Sequence, residues 1–159
     1  MDSQGIFSVV SGWLQPSAAS GSVDVANALF RVSLGGLIFF VHGVHKLRGA
    51  LAFLRSGQPW ALEKEVAEIH VPYPFASALA ATVVQFAGGF LLILGLATRP
   101  VALVLTVTLG VAIYQNVATR RDPQLAALYV LGVATLAIWG GGRYSLDALL
   151  WLPVGGPHS

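Results

Sequence analysis

Three stretches of the chain, 69–98, 100–119 and 123–142, contain no Asp, Glu, Lys or Arg. A helix needs about 20 apolar residues to cross the roughly 30 Å hydrocarbon core of a bilayer, and each stretch supplies that. A fourth run, ANALFRVSLGGLIFFVHGVHKL, is interrupted by Arg31 and closes on two histidines and a lysine. The pattern predicts an all-α membrane protein: a four-helix transmembrane bundle with spans at about 27–47, 75–98, 100–119 and 124–141. Asp24 and Asn27 are candidate N-caps for the first span, and Pro72 and Pro74 suit the entry to the second. Only Arg99 and Pro100 separate spans two and three, which makes them antiparallel neighbours.

Two shorter pieces are amphipathic. IFSVVSGWL (6–14) gathers its apolar side chains on one helical face, and PWALEKEVAEIH (59–70) sets Leu62, Val66 and Ile69 opposite Glu63, Lys64, Glu65 and Glu68. Both read as interfacial helices, with Trp60 and Tyr73 at headgroup level. Plain loop helices packed on the bundle are the alternative. The domain plan is an N-terminal interfacial segment 1–24, a transmembrane domain 25–150 whose loop 48–74 carries the second interfacial helix, and a flexible tail 151–159.

Composition agrees with this plan. Hydrophobic residues make up 55% of the 159 positions and charged ones 10%, against about a quarter charged in a soluble domain. The absence of cysteine excludes disulfides and thiolate ligands. A net charge of +2 does not point to nucleic acid. Residues 1–24 hold no Lys or Arg, which argues against a cleaved signal. The face carrying loops 1–2 and 3–4 has Lys46, Arg48, Arg55, Lys64, Arg120 and Arg121, while the opposite face has Arg31, Arg99 and Arg143. This asymmetry favours cytoplasmic loops and termini on the outer side.

The polar residues inside the spans are the candidates for chemistry, because ionisable groups in a bilayer are expensive and usually face the bundle interior or water. At 100° per residue Arg31 and His42 differ by about 20°, so the first span carries a polar stripe through Arg31, Gly35, Ile38/Phe39, His42 and then His45/Lys46. Lys46 and His45 can be explained by reach to the interface. His42, about 6 Å deeper, is less easily explained and is the candidate catalytic residue. Gln85 in span two, and Tyr114 and Asn116 at the end of span three, are expected to join His45 and Lys46 as ligand-binding residues around one cavity open toward the loop 1–2 face. A lone amide such as Gln85 also serves as interhelical glue, at about 0.6–2 kcal/mol. Ala81, Gly88 and Gly95, with Gly35, Gly36 and Gly43, read as packing seams. At the opposite end Arg31 is expected to form a structural ion pair with Asp147. No metal site is expected: His42 and His45 have no carboxylate or thiolate near them in sequence, and no other span offers a histidine to haem.

Taken together, Arg31–Gly35–Ile38/Phe39, HGVHKL (42–47), QFAGGFLLILGLATRP (85–100) and GGGRYSLD (140–147) resemble the DoxX family of small four-span membrane proteins. The resemblance runs over about 28–150. Many members carry an acidic residue where this chain has Gln85, so a role needing a titrating midplane carboxylate is not implied here. The resemblance implies a bacterial inner-membrane protein linked to quinone-coupled thiosulfate oxidation, or a membrane anchor in a complex that detoxifies oxidants and sulfur species. The expectation is therefore a membrane subunit of quinone-linked oxidoreductase or oxidative-stress chemistry, with His42 shuttling a proton to a bound quinone, no covalent cofactor, and the bilayer as its partner. The alternative is a non-catalytic scaffold that docks partner subunits or forms a homo-oligomer. A transporter is a weaker third reading, since no span interior holds a carboxylate.

Overall fold

The computed structural model describes residues 21–57 and 59–151. The expected helix at 6–14, and all but the first residue of the expected tail, lie outside them. Every element among the described residues is helical. They are α1 (Gly21–Gly36), a π-helical segment (Leu37–Val44), α2 (His45–Ser56), α3 (Ala61–Glu68), α4 (Pro74–Leu94), α5 (Thr98–Ala118), α6 (Gln124–Trp139) and α7 (Leu146–Trp151).

Three helices are long and apolar enough to cross a membrane: Gly21–Ser56, Pro74–Leu94 and Thr98–Ala118. The fourth, α6, has 16 residues, about 24 Å by helical rise, and stops at Gly140 (φ 86°) rather than at the expected 141. The first is longer than expected. It runs unbroken past Leu47 to Ser56, because GALAFL contains strong helix formers. It ends only at Gly57, whose left-handed backbone (φ 66°) lets its N–H donate to the Phe53 carbonyl at 2.9 Å. Neither Asp24 nor Asn27 is an N-cap: both lie inside α1 and are buried. Their side chains face the 140–143 turn instead. Asn27 donates to the Gly140 carbonyl at 3.3 Å, and Asp24 stands 4.0 Å from Arg143. Pro100 belongs to the first turn of α5, where a missing N–H costs nothing.

The main core gathers Ile38, Leu92, Ala102, Leu105, Val133 and Leu136 from all four long elements. A second cluster, Ala50, Trp60, Leu62, Val66 and Ala78, fastens α3 against α2 and α4. Trp60 is only 4% exposed, so it is a core residue and not the headgroup anchor expected; Tyr73 is exposed. Outward faces remain apolar, with Leu128, Leu131 and Ile138 exposed, as lipid-covered helices require.

The π segment changes which residues share a face. A π-helix has a wider turn than an α-helix, so each residue rotates less than 100°. Along the first helix, positions four apart now stay aligned. Arg31 bonds the end of α4, Gly35 abuts Gly89 and Leu92, Phe39 lies on Gly89, and Gly43 lies on Phe86. A Cβ on Gly89 would stand 2.7 Å from the Phe39 nitrogen, and one on Gly43 would stand 2.7 Å from the Phe86 Cα. Only glycine permits backbones to approach this closely. The stripe facing α4 is thus Arg31–Gly35–Phe39–Gly43, and His42 is turned off it.

Candidate functional site

The two polar ends of the bundle are built differently. At the Arg31 end, the chain reverses between α4 and α5 through Gly95 (φ 69°) and Ala97 (φ 50°). Two adjacent helix termini are therefore left with unpaired backbone groups. Arg31 Nη1 donates to the carbonyls of Leu92 (2.6 Å) and Ile93 (2.8 Å), and Nη2 donates to Tyr144 (2.6 Å). Asp147 accepts from the N–H groups of Ala97 (2.6 Å) and Thr98 (2.8 Å). A cation thus caps the negative end of α4 and an anion caps the positive end of α5. The direct ion pair expected between Arg31 and Asp147 is not formed. Each charge is taken by a helix terminus, and Asp147 acts on Arg31 only through space. This end is packed solid: a Cβ on Gly95 would meet the guanidinium and Ser145 at 2.6 Å.

The Lys46 end is open. A cavity of about 340 Å³ lies between α4, α5 and the α3 segment. Its walls are mostly apolar, from Leu62, Val66 and Ile69 on one side to Val84, Val107 and Val111 on the other. Its polar groups are Lys46, Ser77, Gln85, Thr108 and Gln115. Gln85 is 2% exposed, and its Oε1 is buried without a hydrogen-bond partner. A second cavity, of about 310 Å³, adjoins it and is lined by His45, Lys46, Gly49, Trp60 and Glu65 among others. Lys46 borders both. Glu65 ties α3 to the end of α5: Arg121 Nη1 donates to Oε1 at 2.8 Å and Gln115 Nε2 to Oε2 at 3.3 Å.

The expected ligand set is only partly brought together. Lys46 and Gln85 share the larger cavity, and His45 lines the smaller one. Tyr114 points outward at 63% exposed, while Asn116 donates to the Asp122 carbonyl at 3.3 Å and shapes the turn after α5. Their neighbour Gln115 is the residue that faces the cavity. The signal was helical phase: Thr108, Val111 and Gln115 recur at the seven- and four-residue spacings of one face, which leaves Tyr114 and Asn116 on the flanks. His42 lines neither cavity. Its ring meets Tyr129 of α6 edge-on at 5.0 Å, with Nε2 buried and without a hydrogen-bond partner. Among the described residues no group of three or more His, Asp or Glu side chains is placed to hold a metal ion.

The DoxX family model matches residues 26–118, more than half of the chain. This chain belongs to the DoxX family. The matched stretch contains the Arg31–Gly43 stripe, Lys46, Gln85 and the whole of α5, and it ends before the 140–147 segment that supplies Asp147. No curated protein and no solved structure gave a match. The chain is a DoxX-family membrane protein whose long apolar helices contact the bilayer.

Proposed function

We propose that this DoxX-family chain is a membrane subunit that binds a lipid-soluble quinone in the larger cavity and serves quinone-linked oxidoreductase chemistry in a bacterial inner membrane, with its Lys46 end cytoplasmic. The observation that carries this reading is Gln85, which lines a largely apolar cavity together with Lys46 and whose Oε1 is buried without a hydrogen-bond partner. A buried amide left without a partner is costly, and a cavity of this size and character suits a small ring compound. A quinone, when bound, supplies a carrier of electrons and protons. Lys46 Nζ would donate to a ring oxygen and hold a proton beside it, while the Gln85 amide would orient the ring with its donor and acceptor. Leu62, Val66 and Val84 would exclude water. His42, expected as the proton shuttle, packs edge-on against Tyr129 and lines neither cavity, so this reading gives it no step.

Mass spectrometry of lipophilic molecules co-purifying with the protein tests the reading. A quinone that accompanies the wild type and falls about tenfold in Gln85→Leu, the loss of roughly one buried hydrogen bond, is the expected result. A protein that carries no quinone but holds a stoichiometric partner subunit would replace this reading with the scaffold.

A further inference from the structure

The smaller cavity borders the quinone chamber only at its edge and differs from it in chemistry. We propose that it binds the anionic head, phosphate or carboxylate, of a membrane amphiphile, with Lys46 and His45 as its basic contacts. Lys46 borders both cavities, and its three N–H donors let it serve this head as well as a ligand in the larger cavity.

Charge is the first support. Between Arg31 and Glu63 the sequence has no Asp or Glu, while His45, Lys46, Arg48 and Arg55 all fall on α2. The same helix exposes Leu51 and Leu54. Basic residues beside exposed leucines suit the end of a spanning helix that emerges through an anionic headgroup layer. Within the cavity, Lys46 forms no ion pair among the described residues. Glu65 is the acidic wall. It acts on Lys46 through space, but Arg121 and Gln115 hold its oxygens, so no acceptor among the described residues bonds Lys46. A cation partly withdrawn from water gains from an anion supplied by a ligand.

Shape is the second support. Gly49 leaves the Trp60 indole flush with α2: a Cβ there would stand 3.0 Å from Nε1. Ala52, Pro59, Trp60 and Leu62 make the remaining wall largely apolar. A bare hydrated anion would leave that wall unused, whereas the glycerol and upper chain of a lipid cover it. The recess therefore suits an amphiphile better than a free ion.

The test is native mass spectrometry of the protein released from nanodiscs of mixed phosphatidylcholine and phosphatidylglycerol. Wild type is expected to retain phosphatidylglycerol selectively, and Lys46→Gln to retain about tenfold less, as loss of one charge-assisted hydrogen bond implies. Lys46→Arg and the same-helix control Arg55→Gln should stay near wild type, and the former also shows that position 46 tolerates change without unfolding. Gln85→Leu should leave lipid retention untouched, which separates this inference from the quinone reading. Equal losses in Lys46→Gln and Arg55→Gln would reduce the effect to diffuse surface charge and overturn the site. Inorganic phosphate that binds at Lys46 and displaces the lipid entirely would assign the recess to a free anion and overturn the amphiphile.

Discussion

Arg31 and Lys46 rise from one continuous helix, and both are cations that a bilayer disfavours. Arg31 makes three short bonds to backbone carbonyls and sits 1% exposed in a packed junction. Lys46 makes none among the described residues and borders two cavities. The difference lies in what surrounds each charge. Arg31 stands where two helices end and leave carbonyls in want of a donor. Lys46 stands beside the middle of its own helix and faces side chains, whose polar atoms are turned elsewhere or left open. A buried charge consumed by the fold stabilises it, and one left open is available to a ligand.

Removing Arg31 should be the most damaging change. Arg31→Ala leaves the carbonyls of Leu92, Ile93 and Tyr144 without this donor, and an expected loss of about 3–5 kcal/mol should show as a large fall in thermal unfolding temperature in detergent micelles. Lys46→Gln, measured alongside, should change stability by less than about 1 kcal/mol. Equal losses would erase the contrast between the two ends.

Gly89→Ala comes next. Its methyl would press on the Phe39 backbone, and an expected cost of about 1–3 kcal/mol exceeds that at Gly110, where nothing lies within 4 Å. If Gly89→Ala and Gly110→Ala unfold alike, the π-segment contact does not hold the bundle. Gln85→Leu should sharpen the contrast in the other direction. Removing an unpartnered buried amide should leave stability unchanged or raised, by up to about 1 kcal/mol, while lipophile retention falls. A marked destabilisation would make Gln85 structural glue.

The smallest effect is expected at the Glu65 clasp. The pair is partly exposed, so Arg121→Ala should cost no more than about 1 kcal/mol globally. Local opening is the sensitive readout: amide hydrogen exchange over 61–68 should speed up while exchange in α4 stays unchanged. Unaltered exchange over 61–68 would mean that the apolar contacts of Leu62 and Val66 alone hold α3 down.

Much of the fold was legible in the chain. The uncharged stretches located α4, α5 and α6, since bilayer thickness and the absence of charge are properties of sequence alone. Gly35 and Gly43 were legible as close approaches, because small residues in apolar helices have few other uses, whereas Gly36 of the same seam meets nothing within 4 Å. Arg31 and Asp147 were visible as a latch, but not their partners: a sequence displays charges and hides which backbone carbonyls a turn will leave unpaired. Gln115 was hidden behind Tyr114 and Asn116 because three polar residues in a row differ only in phase.

Membership of the DoxX family, four helical elements and a cationic, polar-lined end were thus decided by the sequence itself. The tertiary structure decided which polar residues meet. Eight residues of π-helix turn the first helix more slowly than periodicity assumes, carrying His42 toward Tyr129 and aligning Gly35, Phe39 and Gly43 on α4. Backbone rotation within a helix is set by the neighbours it must fit against, and those neighbours are distant in sequence.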